Sequence, residues 1–247
     1  MKTVPFDRWL RRQPFAHRGL SIAQTVMSKK AGPSWGYTFR ILRNLGLTPK
    51  TIFDIGVGRG TPRLYTAFPH ALFHLIDPTR ESLPFMEDIA KRYKAQIHNV
   101  ALGADVTQLE IAIREKIDSG SFFSEIGEAT YVARYSVPVV PFRELIGTFE
   151  RPALVKIDVQ GAELLVLQGM AERFADIDAI IIELSTIATI YNGPEMSQIV
   201  AFFSSYNWSA ADILSMSRRP LDGALAQLDM LFVPSDSPLR SNKQWKK

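Results

Sequence analysis

Two periodicities alternate along this chain, and their order limits what it can fold into. Apolar runs of strand length recur at 51–56 (TIFDIG), 71–77 (ALFHLID), 96–103 (QIHNVALG), 153–159 (ALVKIDV) and 179–184 (AIIIEL). Beside most of them lie stretches of helical spacing, such as Tyr37, Ile41, Leu42 and Leu45 before the first run, and Leu164, Leu165, Leu167 and Met170 after the fourth. The runs are nearly continuous in Val, Ile and Leu, as strands covered on both faces require. Strand–helix–strand order of this kind predicts an α/β chain with a doubly wound parallel sheet. At 247 residues the chain can bury one full core, and 46% hydrophobic content excludes disorder throughout.

Two regions break the rhythm. Residues 104–150 read as two extra strands, LEIAIRE (109–115) and YSVPVVPF (135–142), around a loop at 118–128. Near the end a helix at 194–206 precedes WSAADILSM and LDMLFVPS, a strand pair predicted to lie antiparallel at the sheet's edge. The reading is an arm at 1–34, one domain at 35–235 and a tail at 236–247. Charge separates the same segments. Residues 1–30 carry seven basic side chains against Asp7 alone, and 235–247 carry four against Asp236, so the net +4 belongs to the ends and the body is acidic. An acidic body argues against a nucleic-acid-binding domain. The arm also holds Trp9 and Phe15 among Arg8, Arg11 and Arg12, which predicts contact with an acidic acceptor or a membrane surface. No apolar run reaches bilayer length, and the first residues lack the apolar stretch of a signal peptide. Zero Cys excludes disulfides and thiolate chemistry. A cytoplasmic location is expected.

The most informative segment is Phe53-Asp54-Ile55-Gly56-Val57-Gly58-Arg59-Gly60-Thr61-Pro62. A buried strand ends there, three glycines alternate, and Pro62 stands where a helix begins. Such a loop brings a ligand close to main-chain N–H groups at the topological switch point of an α/β sheet. Thr61 stands where a dinucleotide loop wants its last Gly, and the Gly-Lys-Ser/Thr of a phosphate-binding loop is absent. The acid two places before the first Gly suits a ligand with a positive amino group, which favours S-adenosylmethionine. Asp77, ending the second run before Pro78, is placed to accept the ribose hydroxyls, or to cap the following helix.

Asp54-Ile-Gly-Val-Gly-Arg-Gly, Asp77-Pro78, Asn99-Val-Ala101-Leu, Lys156-Ile-Asp-Val-Gln-Gly-Ala-Glu163, Val166-Leu-Gln-Gly169 and a strand ending at Glu183 together resemble the FkbM-type methyltransferases over about residues 50–235. The resemblance implies a Rossmann-like class I methyltransferase fold, a seven-stranded sheet with an antiparallel seventh strand, and O-methylation of a hydroxyl on a sugar, glycan, glycolipid or natural product. It implies a cofactor site at Asp54, Gly56, Val57, Gly58, Gly60, Asp77, Ala101 and Asp158. The chain departs from the family pattern at Val57-Gly58 (usually Ala-Asn), Asp77 (usually Glu), Gln160 (usually Glu) and Phe142-Arg143 (usually Leu-Asp).

For the chemistry, an acceptor alcohol must lose its proton during or just after attack. Asp158, ending the fourth run, is the first choice of base, with capping of the next helix as its alternative role. Glu163 in that helix's first turn and Glu183 are further candidates, with a buried Lys156–Glu183 ion pair as the alternative to catalysis along the same edge. His74 and His98 read as core residues, and no metal-ligand spacing is present, so no metal site is assigned. Phe122, Phe123, Tyr131 and Tyr135 read as lining for an acceptor pocket or as packing over the sheet edge. Two other functions stand beside O-methylation: a nucleic-acid methyltransferase, which the acidic body and a missing Asn-Pro-Pro-Tyr-type motif oppose, and a non-catalytic module binding the same cofactor.

Overall fold

A computed structural model describes residues 32–114 and 131–244. Residues 1–31 of the basic arm, Phe122 and Phe123 lie outside the described residues, as does the end of the tail. The described chain runs α1 (Trp35–Asn44), β1 (Thr51–Ile55), α2 (Pro62–Ala67), β2 (Leu72–Ile76), α3 (Leu83–Arg92), β3 (Ala95–His98), β4 (Ala101–Leu102), β5 (Thr107–Arg114), β6 (Tyr131–Val140), α4 (Phe142–Leu145), β7 (Ala153–Ile157), α5 (Glu163–Met170), β8 (Ala179–Ser185), α6 (Met196–Ser205), β9 (Trp208–Arg218) and β10 (Leu225–Pro234). Seven strands form one sheet in the order β3-β2-β1-β7-β8-β10-β9, and only β10 runs against its neighbours. The expected α/β architecture is therefore present, with its antiparallel strand.

Period-two alternation sends successive side chains of each strand into two separate cores. Phe53, Ile55, Val155, Ile157, Ile180 and Ile182 face one layer with α4, α5 and α6. Ile52, Leu154, Ala179 and Ile181 face the other with α1, α2 and α3. On α1 the buried stripe is Trp35, Thr38, Phe39 and Leu42, whereas Leu45 is exposed. The helix is where its spacing predicts, turned toward a different face.

One strand expectation needs correction. The run at 96–103 is not one strand: β3 joins the main sheet, and β4 joins a second sheet of order β4-β6-β5. Asn99 causes the break, because its side-chain amide donates to the carbonyls of Asp77 (2.8 Å) and Thr79 (3.2 Å) and draws the chain out of the ladder. The final strand pair lies antiparallel at the sheet's edge as expected, with β10 between β8 and β9 and β9 as the edge. Among the described residues no helix is long and apolar enough to cross a membrane.

Candidate active site

At the carboxyl ends of β1, β2 and β7 the glycine loop closes over a cavity of about 360 Å³, within the range of small-molecule sites. Gly56 must be glycine: its φ is +78°, and a Cβ would sit 1.8 Å from the carbonyl oxygen of Asp158. Its N–H donates to the carbonyl of Ile76 at 2.9 Å, so the loop begins stitched to β2 and pressed against β7. Gly58, φ +51°, has open space where a side chain would lie. Pro62 starts α2 as predicted.

Asp54 is fully buried and does not line the cavity. Its charge is met from within the protein. Lys156, its register partner on β7, lies 3.4 Å away, while Thr61 donates at 3.3 Å and the Tyr65 hydroxyl donates to the other oxygen. The Lys156 ammonium also reaches the carbonyl of Gly56 at 2.9 Å and Asp158 at 3.4 Å, which occupies its three protons. Burial works against its charge, but Asp158 and Asp54 outweigh burial and hold it protonated beyond the usual lysine range. The alternative of a Lys156–Glu183 pair gives way to Lys156 with Asp54 and Asp158.

Asp77 lines the cavity, and most of its carboxylate is already engaged. One oxygen accepts the N–H of Thr79 (2.8 Å), the hydroxyl of Thr79 (2.6 Å) and that of Ser82 (2.8 Å); the other accepts the N–H of Gly58 at 2.9 Å. The residue therefore ties the first loop to the second and organises the turn before α3. The oxygen facing Gly58 keeps room for one further donor. Val57, Gly58, Gly60 and Ala101 line the same space, with Ile76, Val100, Leu102 and Ile111 forming its apolar wall.

The three predicted chemical carboxylates separate by position. Asp158 lines the cavity with its side chain about one-third exposed (33%). It does not cap α5, whose start has no side-chain cap. Its oxygens are taken by Lys156 and by the Gln160 amide at 2.8 Å. Glu163 turns back on the chain to accept the N–H of Gly161 at 3.0 and 3.1 Å and is absent from the cavity lining. Burial pushes it up to about 7, against the pull of that N–H. Glu183 also stands off the cavity and accepts from Gln160 and Gln227, each at 3.1 Å. Burial first, then the charges of Asp158, Asp229 and Glu163, push it up to about 9.

Sequence reading missed Asp229, the bridging by Gln160 and the partnership of Tyr135. Gln160 adopts φ 53°, unusual for a residue with a side chain, and this turns its amide between two carboxylates. Asp229 pairs in register with Glu183 and accepts from Trp35 and Ser215. Its carboxyl is raised, chiefly by burial. A Gln within a Lys-Ile-Asp-Val-Gln-Gly stretch was visible, but its reach to β8 was not. His74 and His98 pair at 3.0 Å between β2 and β3 with their rings stacked. Among the described residues no group of His, Asp and Glu is arranged to hold a metal ion.

A family model described as methyltransferase FkbM domain matches residues 54–209. A search of curated proteins gave no match. Among solved structures the chain is similar to the methyltransferase FkbM of Methylobacillus flagellatus KT, at 15% identity and a TM-score of 0.47, covering 73% of this chain and 43% of that one. This chain thus spans less than half the length of that protein. It is also similar to magnesium protoporphyrin IX methyltransferase from Synechocystis PCC 6803 with bound SAM, at 12% identity and a TM-score of 0.46, covering 93% and 91%. A third is the 1,6-didemethyltoxoflavin-N1-methyltransferase of Burkholderia thailandensis with bound S-adenosylhomocysteine, at 14% identity and a TM-score of 0.42, covering 87% and 83%.

Proposed function

The chain belongs to the FkbM methyltransferase family, and from that premise we propose that it transfers a methyl group from S-adenosylmethionine to a hydroxyl of a sugar, glycan, glycolipid or natural-product acceptor, with Asp158 as the base. The residues present fit this cofactor. The cavity offers an apolar wall at Val100, Leu102 and Ile111 for a flat ring. It also offers a free lone pair on Asp77 for one ribose hydroxyl, and the open space above Gly58 for close main-chain approach. When bound, S-adenosylmethionine supplies a methyl on a sulfonium, ready for in-line displacement.

The chain's own part is to align and to manage a proton. Asp158 follows the last residue of β7, beside the glycine loop, where cofactor and acceptor have to meet. Lys156 and Gln160 hold its two oxygens from behind, which fixes the carboxylate's orientation while leaving a third of the side chain open. It then accepts the acceptor's hydroxyl proton as oxygen attacks. The observation that carries this reading is that Asp158, alone of the three predicted carboxylates, lines the cavity.

Asp158→Asn tests it. Transfer of a radiolabelled methyl should slow by about 10²–10⁴, the range of a general base, while cofactor affinity stays within a few-fold. Turnover at the wild-type rate would remove Asp158 from the chemistry. Run on glycan and glycolipid extracts with RNA and DNA beside them, the same assay identifies the acceptor class.

A further inference from the structure

Tyr135 has no part in the chemistry above, yet it joins two walls of the cofactor cavity. On β6 it lies directly across from Ile111 of β5, and Ile111 lines the cavity. Its hydroxyl reaches the opposite wall, where it donates to the Glu81 carboxylate and accepts the backbone N–H of Arg80 at 3.0 Å. The Arg80 guanidinium covers its ring, 4.6 Å from the centroid. Residues 80 and 81 continue the turn that starts with Asp77, Pro78 and Thr79, all of which line the same cavity. Burial, then Glu81, pushes the phenol up to about 12, so it remains a donor across the working pH range.

We infer that Tyr135 is a positioning residue for cofactor binding: it clamps the hairpin wall that carries Ile111 to the turn that carries Asp77. The inference rests on S-adenosylmethionine as the cavity's ligand. The hairpin has need of such a clamp, because β4, which links it back to the main body, is only two residues long. A wall fixed in advance lowers the ordering cost that binding must meet; an unfixed wall adds it.

S-adenosylhomocysteine is the probe. Its dissociation constant, from calorimetry on the full chain, should rise about tenfold in Tyr135→Phe, as expected for one lost charge-assisted hydrogen bond. Ligand-free melting should fall by a few degrees. Hydrogen exchange supplies a readout that simple packing would not move. In the wild type the ligand should slow exchange at 56–60, 77–82 and 107–112; in the variant the slowing at 107–112 should vanish while that at 56–60 persists. Glu81→Ala breaks the clamp from its other side without touching hairpin packing, should give the same pattern, and decides the matter if Tyr135→Phe fails to fold. Ser136→Ala, on the exposed side of β6, should behave as wild type. Wild-type affinity and wild-type protection at 107–112 in Glu81→Ala would overturn the clamp, as would loss of protection at all three segments together. A wild type that does not bind the probe would overturn the cofactor assignment, and the clamp with it.

Discussion

Two register pairs sit on the same face of the sheet, and they differ in sign. Under the glycine loop, Asp54 of β1 pairs with Lys156 of β7. Further across the sheet, Glu183 of β8 pairs with Asp229 of β10, and both are acids. The first pair is complete: the ammonium uses its three protons, and Asp54 has Thr61 and Tyr65 as further donors. The second is short of cations, and both carboxyls are raised, chiefly by burial. Buried acids survive either by finding a partner charge or by keeping a proton. The Asp54–Lys156 pair follows the first course. Glu183 follows the second, and its charge depends on pH.

The largest test of this contrast is Lys156→Met. Removing one member of a buried ion pair strands the other, which costs about 3–5 kcal/mol. Urea unfolding should show that loss, and adding Asp54→Asn in the same chain should recover part of it. A single variant as stable as the wild type would mean that the first pair is not complete in the sense described. Next in size is Gly56→Ala, which meets both a positive φ and the carbonyl of Asp158. A loss of about 3 kcal/mol, with S-adenosylhomocysteine binding abolished, is expected by denaturation and calorimetry. Full binding in this variant would show the loop free to move.

The smallest effect is the one peculiar to the acid pair. Glu183 titrates near its ordinary 4.5 when unfolded and about 9 when folded, so between those values the folded state holds a proton that the unfolded state has released. Its contribution is fully present below about pH 4.5 and is lost as pH rises toward 9. Glu183→Gln keeps the hydrogen-bonding shape without that proton. It should match the wild type at pH 5 and be the more stable of the two at pH 9. Parallel stability–pH curves for the two proteins would sink the idea.

What could be read from sequence was local. The Gly56–Gly60 loop, Pro62 and Asp77 announce themselves within a few residues, because turn chemistry and strand ends are short-range properties. Asp54 drew attention for the right reason, its charge, but its partner lies on β7 across the sheet, and nothing local reveals a register. The split of 96–103 followed from Asn99 bonding backward to residues 77 and 79, a contact that an apolar pattern does not encode. Glu163 looked catalytic because it is an acid in a first turn; its return to the N–H of Gly161 is a backbone matter. Tyr135 was noticed as an aromatic near a pocket, and only the fold supplied Glu81 and Arg80.

The insertion of β10 between β8 and β9 bears on how the chain is made. β8 is almost wholly apolar over Ala179–Leu184, and its far edge has no neighbour in the sheet until Leu225–Pro234 arrives. For as long as synthesis has not delivered those residues, a nascent chain offers a bare Ile-rich edge of the kind on which strands from other molecules add. β9 cannot shield it, since it reaches the sheet only through β10. The last strand is thus the seal as well as a structural member. A stalled or clipped chain lacking it is exposed to self-association along that edge.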